Sequence, residues 1–119
     1  MSYVQIALVP VPTDQRDSYA EHSRAMSALF REHGAVVGDD HWGIDLPDGK
    51  HTDFLKAVAA EPGETVVVAM MTWPSKEAAD TAMAAMQQDS RMADIPMPFD
   101  GRRIVFGGFE AMPIDRSTT

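Results

Sequence analysis

The sequence predicts an α+β fold: a four-stranded antiparallel sheet carrying two helices on one face. Three observations lead there. Val66 to Trp73 and the stretch from about Arg102 to Met112 are apolar on both alternating faces, so each strand must be covered on two sides. Two other segments carry helical spacing, and the elements follow the order strand, helix, strand, strand, helix, strand. That order is the split βαββαβ arrangement of ferredoxin-like folds.

The first strand is Tyr3 to Val11, a continuous, mostly apolar run with Gln5 as its polar interior residue, closed by Pro10 and Pro12. Thr13 or Asp14 offers a helix N-cap, and Asp14 and Asp17 place negative charge at the helix start. Tyr19, Met26, Leu29, Phe30 and His33 then recur at helical spacing until Gly34 stops the helix. Residues 35–46 give a second strand, expected to bulge where the chain turns acidic at Asp39 and Asp40. Pro47-Asp48-Gly49 is a turn, and Phe54 to Val58 a short helical piece able to cover one end of the sheet. Pro62-Gly63 introduces the central strand. Ser75 caps an Ala- and Met-rich helix to Gln88, of the kind that packs closely on a sheet. Residues 89–97 form a second irregular connection before the last strand, with Gly107 and Gly108 in its middle.

A chain of 119 residues fits one domain and can bury roughly 65% of its unfolded surface. The domain is expected over residues 1–112, with 113–119 as a tail. The longest uncharged apolar run is far too short to span a bilayer. The N-terminus carries no basic region followed by a small-residue cleavage site, so a cytoplasmic location is expected. The chain contains no cysteine, which removes disulfide frameworks and thiol nucleophiles. A formal net charge of −8 repels phosphate backbones and anionic lipid, so neither nucleic acid nor membrane is an expected partner. Two helices can cover one sheet face only. The second apolar face calls for another copy of the chain, and a homodimer through sheet faces is expected.

The segments Phe54-Leu55-Lys56-Ala57-Val58, Glu64-Thr65-Val66-Val67, Asp89-Ser90-Arg91-Met92 and Met97-Pro98-Phe99-Asp100-Gly101-Arg102-Arg103, with Gly107-Gly108-Phe109-Glu110, carry a family resemblance. Together they resemble the YbaA-like family of uncharacterised bacterial proteins in the dimeric α+β barrel superfamily. The resemblance runs from Tyr3 to about Met112. It implies the fold and the dimer; it supplies no catalytic residue. Two departures stand out: His41 precedes Trp42-Gly43 where similar sequences have Cys, and Val68-Ala69-Met70 replaces Phe-Ser-Trp. Superfamily analogy implies a helix-to-sheet cleft for a small apolar or aromatic substrate, with cofactor-independent oxygenation, isomerisation or cyclisation, and in some branches haem chemistry.

Candidate residues follow from chemistry and position. His41, beside Trp42, is a candidate general base, and Glu110, a carboxylate in an apolar strand, a candidate acid or base. An exposed or ion-paired Glu110 is the structural counterpart. His22, Trp42, Met70 and Arg102 are candidate ligand-binding residues: His22 if its ring reaches a space between helix and sheet, Trp42 and Met70 as lining, Arg102 as a polar anchor. Met71, Met83, Met86, Met92 and Met97 are either soft lining or ordinary core. His33 before Gly34 fits a favourable charge at a helix C-terminus. The groups between Asp39 and Asp53 lack any metal-ligand spacing, so no metal is expected. Walker, dinucleotide and nucleophile-elbow motifs are all absent, and no cofactor is expected. The remaining alternative is a non-catalytic metabolite-binding or stress-associated protein.

Overall fold

The computed structural model describes residues 2–112 and 114. The strands are β1 (Tyr3–Pro12), β2 (Val37–Trp42), β3 (Glu64–Trp73) and β4 (Val105–Glu110); the helices are α1 (Arg16–Glu32), α2 (Phe54–Ala57) and α3 (Lys76–Gln87). All pairings are antiparallel and the sheet order is β2-β3-β1-β4. This is the expected ferredoxin-like topology, with β1 and β3 central. The segment 113–119, expected as a tail, lies outside the described residues except for residue 114.

Register assigns each residue to a face. Gln5 pairs with Met71, Ala7 with Ala69, Val9 with Val67, Trp42 with Val67 and Phe106 with Ala7, and paired residues share a side of the sheet. That side carries both long helices. One buried cluster joins Ala7, Val9, Val11 and Val67 to Tyr19 of α1; another joins Met71 and Trp73 to Ala79 and Ala82 of α3. The small alanines let α3 lie close on the sheet, and the Trp73 ring meets Phe30 of α1 edge-on. Gln5, the polar interruption in β1, is buried and accepts a hydrogen bond from Trp73 Nε1 at 2.9 Å. Its polarity is therefore satisfied within the core.

The opposite side of the sheet presents Val4, Ile6, Leu8, Val68, Met70, Val105 and Phe109. Pro10 and Val66 at one end of this side are fully buried, where α2 contacts β3 and Val58 is 1% exposed. Further along, Val105 and Phe109 are 42% and 53% exposed. This face is apolar and open.

Local signals account for the element ends. Ser75 accepts from Ala78 N and caps α3, and Asp53 caps α2 through Lys56 N. Gly34 ends α1 at φ 112° and Gly63 enters β3 at φ 86°, left-handed conformations that glycine adopts without strain. Three details differ from expectation. The last strand, expected from about Arg102 to Met112 and covered on two sides, is the edge strand β4 (Val105–Glu110) after a 3-10 turn over Gly101–Arg103, with Phe106 on one face and Phe109 on the other each 53% exposed. α1 begins at Arg16 after a 3-10 turn over Thr13–Gln15, with no side-chain cap. β2 pairs without interruption from Val37 opposite Thr72 to Trp42 opposite Val67. An edge strand bonded on one side tolerates Gly38, Asp39 and Asp40 in a regular ladder: Asp39 is exposed and the Asp40 carboxylate accepts a hydrogen bond from Tyr19.

Candidate functional site

Between α1, the sheet and the connection that follows α3 lies a cavity of about 250 Å³. α1 supplies Tyr19, His22, Met26, Ser27 and Phe30; the strands supply the floor through Ala7, Ala69 and Met71. Met92, Ile95, Met97 and Phe99 close it from the connection. Gly38 keeps the floor open on β2. A β-carbon there would rest 3.6 Å from Ser27 Oγ and 3.9 Å from Met71 Cγ, pointing into this space.

Ion pairs secure the covering segment at both ends. Arg91 donates to both oxygens of Glu32 at 2.9 and 3.1 Å and to Asp89, which also meets His33 Nε2 at 3.3 Å. Hydrogen bonds from Arg91, and then from His33, hold the Asp89 carboxyl well below its usual range. At the other end Arg103 forks onto Glu64 at 2.7 and 2.8 Å and also donates to Asp100. The Arg103 fork lowers the Glu64 pKa against its burial. The Arg91–Glu32 pair is exposed and contributes little by itself, whereas the Arg103–Glu64 fork is largely buried; together they fix where the segment lies.

Besides Ser27, three polar side chains interrupt the apolar wall: Tyr19, Asp40 and His22. The Tyr19 hydroxyl donates to Asp40 Oδ2 at 2.7 Å. Burial, reinforced by that bond and by the Asp40 charge, pushes the phenol pKa well above its ordinary range. His22 Nδ1 lies 2.9 Å from the Pro96 carbonyl oxygen. Its ring packs 5.4 Å from that of Tyr19 and edge-on to Phe99 at 5.0 Å. Burial lowers the imidazole pKa, opposed by the Pro96 bond and by the Asp40 charge.

A second cleft, of about 260 Å³, opens on the other side of the Tyr19–Asp40 pair. Arg16, Ser23, Arg24 and Trp42 line it, and the Arg16 guanidinium sits 5.2 Å over the Trp42 ring. Asp40 and Tyr19 border both spaces.

The six sequence candidates are not gathered in one place. His22 lines the main cavity and Trp42 the adjacent cleft. His41 is exposed opposite Val68, on the open side of the sheet, and Met70 lies on that side too. Arg102, 91% exposed, pairs with Asp100. Glu110 is exposed at the end of β4, opposite Tyr3. Of the methionines, Met26, Met71, Met92 and Met97 line the cavity, whereas Met86 is buried on α3. Among the described residues no three His, Asp or Glu side chains converge to hold a metal ion. No helix among them is long and apolar enough to cross a membrane.

Sequence reasoning missed Tyr19 and Asp40 as partners. Tyr19 reads as one more apolar position of α1, and Asp40 as part of an acidic run. A usable signal existed: Asp40 stands two residues before Trp42, so an inward Trp42 requires an inward Asp40.

Topology and cavity together define an α+β protein of the ferredoxin-like class with a helix-to-sheet pocket. The chain belongs to the family described as "Protein of unknown function (DUF1428)", which matches residues 2–101. It is 45% identical over 114 residues to "Uncharacterized protein YbaA" of Escherichia coli (strain K12), covering 94% of this chain and 97% of that protein. The proteins of the same name from Escherichia coli O157:H7 and Shigella flexneri match to the same extent.

Proposed function

We propose that the protein binds a small apolar or aromatic molecule in the cavity under α1, and that it acts as a cofactor-independent enzyme of the isomerase, cyclase or oxygenase type. One observation carries this reading: an apolar cavity holding an oriented imidazole beside a buried tyrosine bonded to a half-buried carboxylate. Convergent polar groups in a concave apolar space are the common form of a small-molecule site. Passive sequestration needs the cavity but gives no reason for a histidine held in one tautomer.

The working unit in this proposal is a homodimer closed through the open sheet face. Support comes from the apolar side chains of β1, β3 and β4 that remain half-buried or exposed there, a contiguous surface that water disfavours. A dimer is expected in sedimentation at micromolar concentration. Met70→Lys, in the middle of that face, is expected to shift it to monomer. A wild-type monomer would remove this part of the reading.

The ligand is tested by native mass spectrometry of the purified protein, repeated under denaturing conditions. Added mass that leaves on unfolding identifies the bound class. A compound recovered unchanged after incubation favours binding alone, and a converted one favours catalysis. Absence of added mass, together with failure of small aromatic compounds to bind, would overturn the cavity as a ligand site.

A further inference from the structure

Among the described residues the cavity wall contains one imidazole and no Lys or Arg, and this combination restricts both the chemistry and the substrate. A carbonyl oxygen can only accept, so the contact with Pro96 requires the proton of neutral His22 to sit on Nδ1. Nε2 then carries the lone pair. Burial keeps the ring neutral near physiological pH, and the Tyr19 and Phe99 rings hold it in place. Once protonated, the ring is stabilised by the Pro96 carbonyl and by the charge of Asp40, which Tyr19 in turn holds in position.

We infer that His22 is the general base of a proton-transfer site in this cavity, acting on a compact, neutral aromatic carbonyl compound with an acidic C–H bond. The inference rests on the reading that the cavity binds a small molecule. No Lys or Arg lines the space among the described residues, and Asp40 does, so an anionic substrate is disfavoured. For the same reason the wall offers an enolate little charge stabilisation. The substrate must delocalise the charge itself, as a β-dicarbonyl or aryl-conjugated carbonyl does. The volume of about 250 Å³ equals that of about eight waters. One substituted ring fits it.

The step balances without a co-reactant. Nε2 takes the proton, the C–H pair becomes the carbon–carbon double bond, and the carbonyl π pair moves to oxygen. The imidazolium returns the same proton to that oxygen, giving the enol. Reversal gives the ketone. No electron enters or leaves.

Benzoylacetone is a suitable probe, since its enol absorbs in the near ultraviolet and its central carbon exchanges with deuterium. The wild-type protein is expected to accelerate tautomer exchange about a hundredfold or more over free imidazole at equal concentration. His22→Gln is expected to fall to that background while calorimetry shows the probe still bound; His51→Gln, in an exposed connection, keeps the wild-type rate. Tyr19, Asp40, Phe99 and the Pro96 carbonyl face the ring, and Glu21 lies beside it on α1. Tyr19 stays protonated across neutrality. The wild-type rate should therefore persist below the ordinary imidazole pKa of 6.5 and fall at lower pH. This profile serves if His22→Gln fails to fold. Probe binding without histidine-dependent exchange, or a rate flat across that pH range, overturns the general base and leaves the cavity reading intact. Failure of the probe to bind overturns the substrate class, while native mass spectra independently decide the cavity.

Discussion

Tyr19→Phe removes a single oxygen from a side chain that is 5% exposed. The ring remains, so its burial is unchanged and only a very small void opens. What disappears is a 2.7 Å hydrogen bond to a carboxylate. Hydrogen bonds to charged groups contribute roughly 1.5–3 kcal/mol net. Asp40 is half-buried and borders two clefts, so water can replace part of the lost bond. The expected loss is about 1–2 kcal/mol, or roughly 3–8 °C in melting temperature for a chain of this size. A cycle with Asp40→Asn should return a coupling of about 1 kcal/mol. The pair also has an alkaline signature. The Tyr19 pKa is raised above its ordinary 10.0 in the folded chain. The folded state thus holds a proton that the unfolded state releases, and stability falls as pH rises beyond about 10. The contribution is fully present below that pH and is lost through the folded pKa. The chain has two tyrosines, and the difference between wild-type and Tyr19→Phe tyrosinate titrations isolates this one. A variant as stable as wild type near neutrality, with the same alkaline slope, would refute the bond.

Gln5→Met leaves Trp73 Nε1 buried without its acceptor, and urea unfolding should show a loss of about 1–3 kcal/mol; unchanged stability would contradict the Gln5–Trp73 contact. Arg103 holds the Glu64 carboxyl below its ordinary 4.5, so this pairing stabilises above that pH and is lost as pH falls through the folded value. Arg103→Met should flatten the acid limb of the stability curve, and an unaltered limb would argue against the pairing. Gly38→Val should keep the fold, because a β-carbon there meets only ordinary contacts, while its added methyls enter the cavity. Ligand affinity should drop about tenfold or more, equivalent to about 1.4 kcal/mol; undiminished binding would place the ligand elsewhere.

Strand order and helix positions were legible because they rest on local chemistry. Pro-Gly at 62–63, Gly34 and the Ser75 cap act within a few residues, and the double-faced apolar run of β3 agrees with its central place, whereas the same pattern in the last strand did not distinguish β4 as an edge. The candidate site was less legible because it depends on parity. A strand turns successive side chains to opposite faces, so His41 and Trp42 cannot both line one space. Acidic residues around β2 obscured which of the two faces inward. The Trp42–Val67 pairing sets that phase, bringing Asp40 to Tyr19 and sending His41 to the open side. His22 was recognisable as a helix-face candidate, but its tautomer depends on Pro96, a carbonyl 74 positions away. Spacing within one element carries no information about such a contact. Arg103 similarly finds Glu64 rather than a neighbour in β4.

The sheet order has a consequence for how the chain acquires its shape. β1 emerges first from synthesis, yet both its neighbours come late: Tyr3 stands opposite Trp73 on one side and Glu110 on the other. Until β3 is made, the first strand has no hydrogen-bonding partner, and until β4 is made one of its edges stays unpaired. Phe106 of β4 is also part of the cavity wall. Contacts this distant along the chain are slow to form and leave nascent edges open to wrong pairings. The sheet is complete only once β4 has paired, where Gly108 lets β4 pass beneath the Tyr3 ring that a β-carbon would strike. A substitution at that glycine would require the Tyr3 ring to move, at the pairing that completes the sheet.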